Sequence, residues 1–357
     1  MSRFLLVRLG ALGDIVHAIP VAAALHRAFP SARIDWLVSA RHRDLLDLVP
    51  VIHRRLVIED RGTATGLLAG WRGGRIPGRP AGTSLLAAIG ELRRSHYDVV
   101  FDLQGLLKSA VLARLSGAPR VVGFSSRYLR ERMARPFYTD AYDPGGGGMY
   151  DPNERSHVVQ MNLGLLTAIG LSSAAPEFPL DRVDTETARA MRERVGNRYA
   201  LVNPGAAWPN KRWPAARYGA VARALDERHG LKTIVSWGPG EEALAQEVVR
   251  EAAGAAVLSP RTSIGDLVAL LRGAALMISG DTGPTHVAAA LGTPIVGIYG
   301  PTRPSRNGPW APGDITISRD ASCQCHHLRR CTRERMCLFD VETAEVLDAA
   351  ERRLAAK

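Results

Sequence analysis

MISGDTGPTHVAAALGTPIVGIYGPTRPSR, residues 277–306, decides the fold. An apolar run ends at Gly280 and delivers Asp281-Thr282-Gly283, and Pro284 then permits a helix to begin, with His286 in its first turn. A second apolar run, Ile295–Tyr299, ends in another glycine–proline turn, Gly300-Pro301-Thr302-Arg303-Pro304. Strand, loop, helix, strand and loop in that order make the βαβ unit of a parallel sheet. Backbone N–H groups from Thr282 through Thr285, joined by the threonine hydroxyls, form an anion cradle. Capping alone accounts for Asp281 and Thr282. It does not account for His286, or for a second such turn after the very next strand.

Outward from this unit the same alternation fills both halves. The first half has strand patterns at Phe4–Leu9, Arg33–Val38, Arg55–Ile58, Asp98–Phe101 and Arg120–Gly123, with helical patterns at Ile15–Phe29, Leu85–Ser95 and Leu107–Leu115 between them. The glycine–proline stretch DAYDPGGGGMYDPNERSH, 140–157, reads as a mobile loop. After a helical pattern at Val158–Ile169, strands restart at Tyr199–Val202, Lys232–Ser236, Leu276–Ser279 and Ile295–Tyr299. The pattern predicts an α/β chain of two Rossmann-like domains, residues 1–175 and 176–340. A final helical stretch, 341–357, is expected to pack back toward the first domain. In such sheets ligands bind beyond the carboxyl ends of the strands, so the loops after the strands are where function is sought.

Three of those loops stand out. NPGAAWPNKRWP, 203–214, sets Lys211 just ahead of a proline-initiated helix, where a lysine and a helix dipole can meet one diphosphate. WGPGEE, 237–242, turns tightly and offers Glu241 or Glu242, residues suited to helix starts or to ribose and sugar hydroxyls. GALGDIVHAIPV, 10–21, places a carboxylate, Asp14, where a strand-to-helix loop ordinarily receives a phosphate.

The bulk composition narrows the classes. With 46 basic and 35 acidic residues among 357, the formal charge is +11, which favours anionic partners without choosing among them. No apolar run reaches the ~20 residues of a membrane span, and the chain starts directly in a strand pattern, so a cytoplasmic location is expected. No recognition helix or aromatic platform supports specific nucleic-acid binding. GALGD lacks the third glycine of the dinucleotide fingerprint, which disfavours a nicotinamide oxidoreductase.

Taken in order, GALGDIVHAIPV, DVVFDLQGLLKSA, NPGAAWPNKRWP, WGPGEE and SGDTGPTHVAAALGTPIVGIYGPTRP resemble the lipopolysaccharide heptosyltransferases of glycosyltransferase family 9, nearest to the type that adds the first heptose. The resemblance spans nearly the whole chain. It implies a GT-B fold, with two Rossmann-like domains facing across a cleft, the acceptor on the first and the nucleotide sugar on the second. It implies an inverting transfer from ADP-heptose to Kdo-lipid A, the Kdo (3-deoxy-octulosonic acid) acceptor of the inner core, without a catalytic cofactor, and no Asp-x-Asp triplet is present. Asp14 is then the general base, and Lys211 stabilises the leaving diphosphate. Glu242 would bind the ribose, Asp281 the sugar hydroxyls, and Thr282, Gly283 and His286 the diphosphate. Asp102, Gln104, Lys108, Arg127, Arg130 and Glu131 would line the acceptor side. A peripheral contact with an anionic inner-membrane surface is expected, with Arg41, Arg43 and the segment Arg72 to Arg79 as its basic residues. The same-fold alternative is transfer of another nucleotide sugar to a polysaccharide or protein.

One segment departs from that pattern. CQCHHLRRCTRERMC carries Cys323, Cys325, Cys331 and Cys337, with His326 and His327 beside them. Thiols and imidazoles this close can bind zinc or iron, although the spacing is not a repeated C-x2-C pair. A structural metal is the functional expectation, and a reduced thiol cluster is the plain one.

Overall fold

The computed structural model describes residues 2–58, 85–151, 153–172, 175–326 and 328–356. The chain divides into two compact units, Met1–Asp181 and Arg182–Lys357. The boundary expected at 175/176 therefore falls a few residues later. The expected basic segment Arg72 to Arg79, and His327, lie outside the described residues.

In the first unit, β1 (Arg3–Val7), β2 (Arg33–Ser39), β3 (Arg54–Ile58), β4 (Val99–Asp102), β5 (Arg120–Phe124) and β6 (Asp140–Tyr142) form one parallel sheet ordered β3-β2-β1-β4-β5-β6. In the second, β7 (Ala200–Asn203), β8 (Thr233–Val235), β9 (Ala256–Leu258), β10 (Leu276–Gly280), β11 (Ile295–Tyr299) and β12 (Ile315–Ser318) are ordered β12-β11-β10-β7-β8-β9. Counted from its own first strand, each sheet runs 3-2-1-4-5-6. Strands β4, β7, β10 and β11 are buried along their whole length, as sheets covered on both faces require. Each order reverses between its first and fourth strands. This switch point is where such folds open a crevice for ligand.

Three expectations need correction. The helix expected over Ile15–Phe29 is two, Leu12–Val16 and Ile19–Ala28. Pro20 has no N–H for the Val16 carbonyl, so the ladder breaks there. The glycine–proline stretch contains β6 and is tied down: Tyr128 Oη donates to buried Glu154, which also accepts from the Ser156 amide at 2.8 Å. The C-terminal helix, Thr343–Ala355, expected to pack back toward the first domain, packs within the second unit. Its Val346, Leu347, Ala349 and Ala350 share a core with Tyr218 and Leu225 of helix Ala215–His229. Trp213 Nε1 bonds the Val341 carbonyl just before it, at 3.0 Å.

Candidate active site

At the switch point of the second sheet, the loop after β7 meets the loop after β10. Lys211 Nζ lies 2.6 Å from Asp281 Oδ2, and His286 Nε2 lies 3.0 Å from Asp281 Oδ1. Both oxygens of the carboxylate are thus taken within the protein, and Asp281 is 7% exposed. Burial by itself would push this carboxyl up. The His286 hydrogen bond and the Lys211 charge more than reverse it, holding Asp281 well below the usual carboxylate range. Lys211 also stands over the Trp208 ring, 4.6 Å from its centre.

Helix Gly283–Leu291 begins at this cluster with Pro284 in its first turn, and the Thr282 side chain makes no capping bond to it. The Thr282 hydroxyl instead meets that of Thr285 at 3.1 Å, and Thr285 donates to the Gly280 carbonyl at 2.7 Å. The threonines therefore shape the loop; Pro284 has no N–H and the His286 amide donates to the Thr282 carbonyl at 3.3 Å, which leaves the amides of Gly283 and Thr285 as the donors of this helix start. Asp281, expected on sugar hydroxyls, pairs with Lys211 and His286 at this helix start.

A cavity of about 470 Å³ opens beyond β8 and β9, lined by Glu242, Trp237, Leu258, Met191, Arg194 and Arg261 among others. It offers an indole and aliphatic walls for a flat apolar group, a carboxylate for hydroxyls and two guanidinium groups for an anion. Trp237 Nε1 is fixed to the Ser259 carbonyl at 2.9 Å. The two glutamates differ in position. Glu241 turns back to accept from the Gly238 amide at 3.0 Å, while Glu242 lines the cavity.

The first sheet carries its carboxylate differently. Asp14 lies in helix Leu12–Val16 after β1, its side chain 40% exposed. Arg8 Nη2 pairs with its Oδ2 at 2.7 Å, and the Ala11 amide donates to the same oxygen at 3.1 Å. Gly10 is required because the His42 ring fills the place of a Cβ, 2.6 Å away. Gln104 Oε1 accepts from the Leu9 amide at 3.0 Å, and Arg8 donates to the Leu103 carbonyl. The loop after β4 thus braces the loop that presents Asp14.

The expected acceptor residues divide. Asp102, expected on the acceptor side, is fully buried. It accepts from Tyr138 Oη at 2.7 Å, Ser109 Oγ at 2.9 Å and the amides of Gln104 and Gly105. Burial outweighs these bonds and raises its pKa. Its place in the structure is to hold the 102–109 turn. Glu131 accepts from the Leu107 amide at 2.8 Å, at the start of the helix that carries Lys108. Arg127 pairs with Asp143 at 3.3 Å, and Arg130 is exposed. Arg8, Trp208, Trp237, Arg194 and Arg261 were not singled out from the sequence. Trp208 and Trp237 lie within the motifs of Lys211 and Glu242, which could have pointed to them, whereas Arg8, Arg194 and Arg261 lie outside every motif and only the fold brings them to the site.

Among the described residues, no three His, Cys, Asp or Glu side chains stand open around a point where an ion could sit. The metal expected at the cysteines is therefore not displayed as an assembled site.

The profile of glycosyltransferase family 9 (heptosyltransferase) matches residues 85–336. The chain is 31% identical over 359 positions to lipopolysaccharide heptosyltransferase 1 of Pseudomonas aeruginosa, covering 97% of this chain and 93% of that one. A family 9 glycosyl transferase from Veillonella parvula shares the fold with a TM-score of 0.76 at 23% identity, over 100% of this chain and 98% of that one. The E. coli heptosyltransferase WaaC with ADP gives a TM-score of 0.69 at 21% identity, over 99% and 100%. These two structures speak for the fold, the two-Rossmann GT-B type. This chain belongs to glycosyltransferase family 9 and is a glycosyltransferase of its heptosyltransferase class.

Proposed function

We propose that the enzyme transfers heptose from ADP-heptose to the Kdo-bearing inner core of lipopolysaccharide, inverting the anomeric centre, with Asp14 as general base. The observation that carries the donor half is the Lys211–Asp281–His286 cluster at the start of helix Gly283–Leu291. It belongs to the same unit as a cavity walled by Trp237 and Glu242. The cluster suits a diphosphate, and the cavity suits a purine and its ribose. The acceptor is argued from family membership and from the cationic side chains Lys108, Arg127 and Arg130, which suit carboxylates and phosphates.

In the step itself, the acceptor hydroxyl oxygen forms a bond to the anomeric carbon as the bond from that carbon to the ADP oxygen breaks. The hydroxyl proton passes to Asp14, and the electron pair leaves on ADP. Arg8 and the Ala11 amide both engage Oδ2 of Asp14, which orients the carboxylate and leaves Oδ1 for the proton. Lys211 and the helix start offset the charge growing on the leaving phosphate. The sequence has no Asp-x-Asp triplet, and this reading routes no step through a metal; the cysteine segment is given a structural role. No helix among the described residues is long and apolar enough to cross a membrane. Access to a lipid-borne acceptor is then peripheral, at the cytoplasmic face of the inner membrane, aided by Arg41 and Arg43.

The test is a transfer reaction read by mass spectrometry, with a panel of nucleotide sugars, Kdo-lipid A as acceptor and chelator present. A heptosyl mass gain from ADP-heptose alone is the expected result. A gain from another nucleotide sugar in its place would sink the donor assignment.

A further inference from the structure

The loop after β7 brings an aromatic ring to the ammonium of Lys211, and core packing does not account for that ring. Trp213 belongs to the core around Tyr218 and Leu225, and Trp237 packs against it. Trp208 is not one of the side chains of that core and stays half-buried. A short turn sets its place instead. Pro209–Lys211 form one turn of 3-10 helix, closed by the Lys211 amide on the Trp208 carbonyl at 3.0 Å. Side chains three apart eclipse one another in such a turn, which lays the Lys211 chain along the indole of Trp208. The Lys211 nitrogen ends 4.6 Å from the ring centre. The turn itself is pinned on both sides. Arg212 Nε donates to the Ala206 carbonyl at 2.9 Å, and Asn210 Nδ2 to the Leu328 carbonyl at 3.0 Å.

Two groups therefore hold one ammonium. Asp281 Oδ2 accepts from Lys211 Nζ at 2.6 Å, and the electron-rich face of Trp208 meets the same nitrogen. A carboxylate alone fixes one point of a flexible four-carbon stem, and the ammonium can still swing about it. A second contact on the ring removes that freedom. With both in place the Lys211 side chain is 16% exposed. A charge sheltered from water in this way acts more strongly on a neighbouring anion. The ammonium carries three donors, so hydrogens remain for a ligand beyond the one given to Asp281.

We propose that Trp208 is a positioning residue for the transfer: its indole face holds the Lys211 ammonium where the remaining N–H groups meet the donor's diphosphate. Trp208 acts through Lys211 and not on the nucleoside, whose cavity is lined by other residues. Asp281 and Trp208 then divide the work. The carboxylate supplies the opposite charge, and the ring fixes the direction in which the ammonium points. The spacing of Trp208 and Lys211 is what the 3-10 turn requires, so ring and ammonium form one unit within the loop. This role of Trp208 rests on the reading of Lys211 as the partner of the diphosphate, whereas the contact between ring and ammonium does not.

The contact is read first in the full-length wild-type enzyme by NMR. The sequence has four lysines, Lys108, Lys211, Lys232 and Lys357, so lysine carrying carbon-13 at its ε position gives a simple spectrum. The Lys211 resonance, assigned by its loss in Lys211→Met, should lie upfield of the others because its ε-methylene sits over the indole. A position among the other three overturns the contact. When ADP is added the resonance should stay upfield, since the ring keeps its hold while the diphosphate binds; a move to the position of the other lysines overturns the role. Calorimetry then measures the effect. Trp208→Leu should weaken ADP binding about fivefold, and Trp208→Phe, which keeps a ring face, should recover most of the loss. In the Lys211→Met background, Trp208→Leu should weaken ADP binding no further. Unchanged ADP affinity in Trp208→Leu, or the same loss in both backgrounds, overturns the role. If Trp208→Leu fails to fold, the wild-type resonance with and without ADP decides alone. An upfield resonance in wild-type enzyme that does not bind ADP would refute the donor reading, and the role with it, and leave the contact standing.

Discussion

The two sheets share one topology, yet their switch points carry opposite chemistry. After the first strand, one unit presents a carboxylate, Asp14, and the other an ammonium, Lys211. At the end of the fourth strand both place an aspartate in the interior, Asp102 and Asp281. Asp102 is held by hydroxyls and amides with no cation, and burial raises its pKa. Asp281 is clamped between Lys211 and His286 and is held low despite the same burial. One frame, two polarities: the first crevice presents a carboxylate, and the second an ammonium beside a helix start. Fold alone therefore says little about role, which is set by a few side chains on the loops after the strands.

The comparison can be broken at the buried aspartates. Asp281→Ala leaves Lys211 and His286 without their acceptor and should cost about 3–5 kcal/mol in urea denaturation. Asp102→Asn keeps an acceptor for the two amides but turns an NH2 group toward the Tyr138 and Ser109 hydroxyls, and should cost about 1–2 kcal/mol. Equal losses would erase the distinction.

The pH dependences of the two sites should have opposite sign. The folded pKa of Asp281 lies below its unfolded value near 3.9, so its stabilisation is present above that value. It is lost as pH falls toward the folded value, and the stability of Asp281→Ala should be flatter below about pH 4 than that of the wild type. The folded pKa of Asp102 is raised, so its contribution is present below about pH 4 and lost as pH rises through the raised value. Urea midpoints from pH 3 to 7 for the two variants measure both slopes.

Smaller effects sharpen the comparison. Lys211→Met removes a charge-assisted contact and should weaken ADP binding by about tenfold or more in calorimetry. Gln104→Ala removes only the brace on the Leu9 amide and should cost about 1 kcal/mol of stability, with ADP affinity unchanged.

Much of the frame was legible because central strands are continuous apolar runs between glycine-bearing turns. The strands that escaped notice, Asp140–Tyr142, Ala256–Leu258 and Ile315–Ser318, are three sheet edges of three or four residues each, only partly buried. An edge strand covered on fewer sides needs no long apolar run. Helix Glu186–Val195 was missed for a similar reason, since only Ala188, Met191 and Val195 are buried. At the site, Asp14, Lys211 and His286 could be singled out from loop context. The pairings could not: Arg8 with Asp14, and Asp281 with both Lys211 and His286, depend on how separate strands align. Asp102 misled because a carboxylate at a strand end reads as a ligand until burial and the Tyr138 hydroxyl are seen.

The central claim is that the first unit supplies the base while the second holds the donor. The measurement that tests it most directly is Asp14→Asn, with turnover and ADP affinity determined on the same preparation. The account predicts ADP binding within about twofold of wild type and turnover lower by about a hundredfold or more, the lower end of what a general base contributes. Turnover within about tenfold of wild type, or ADP affinity lost in step with turnover, would contradict it.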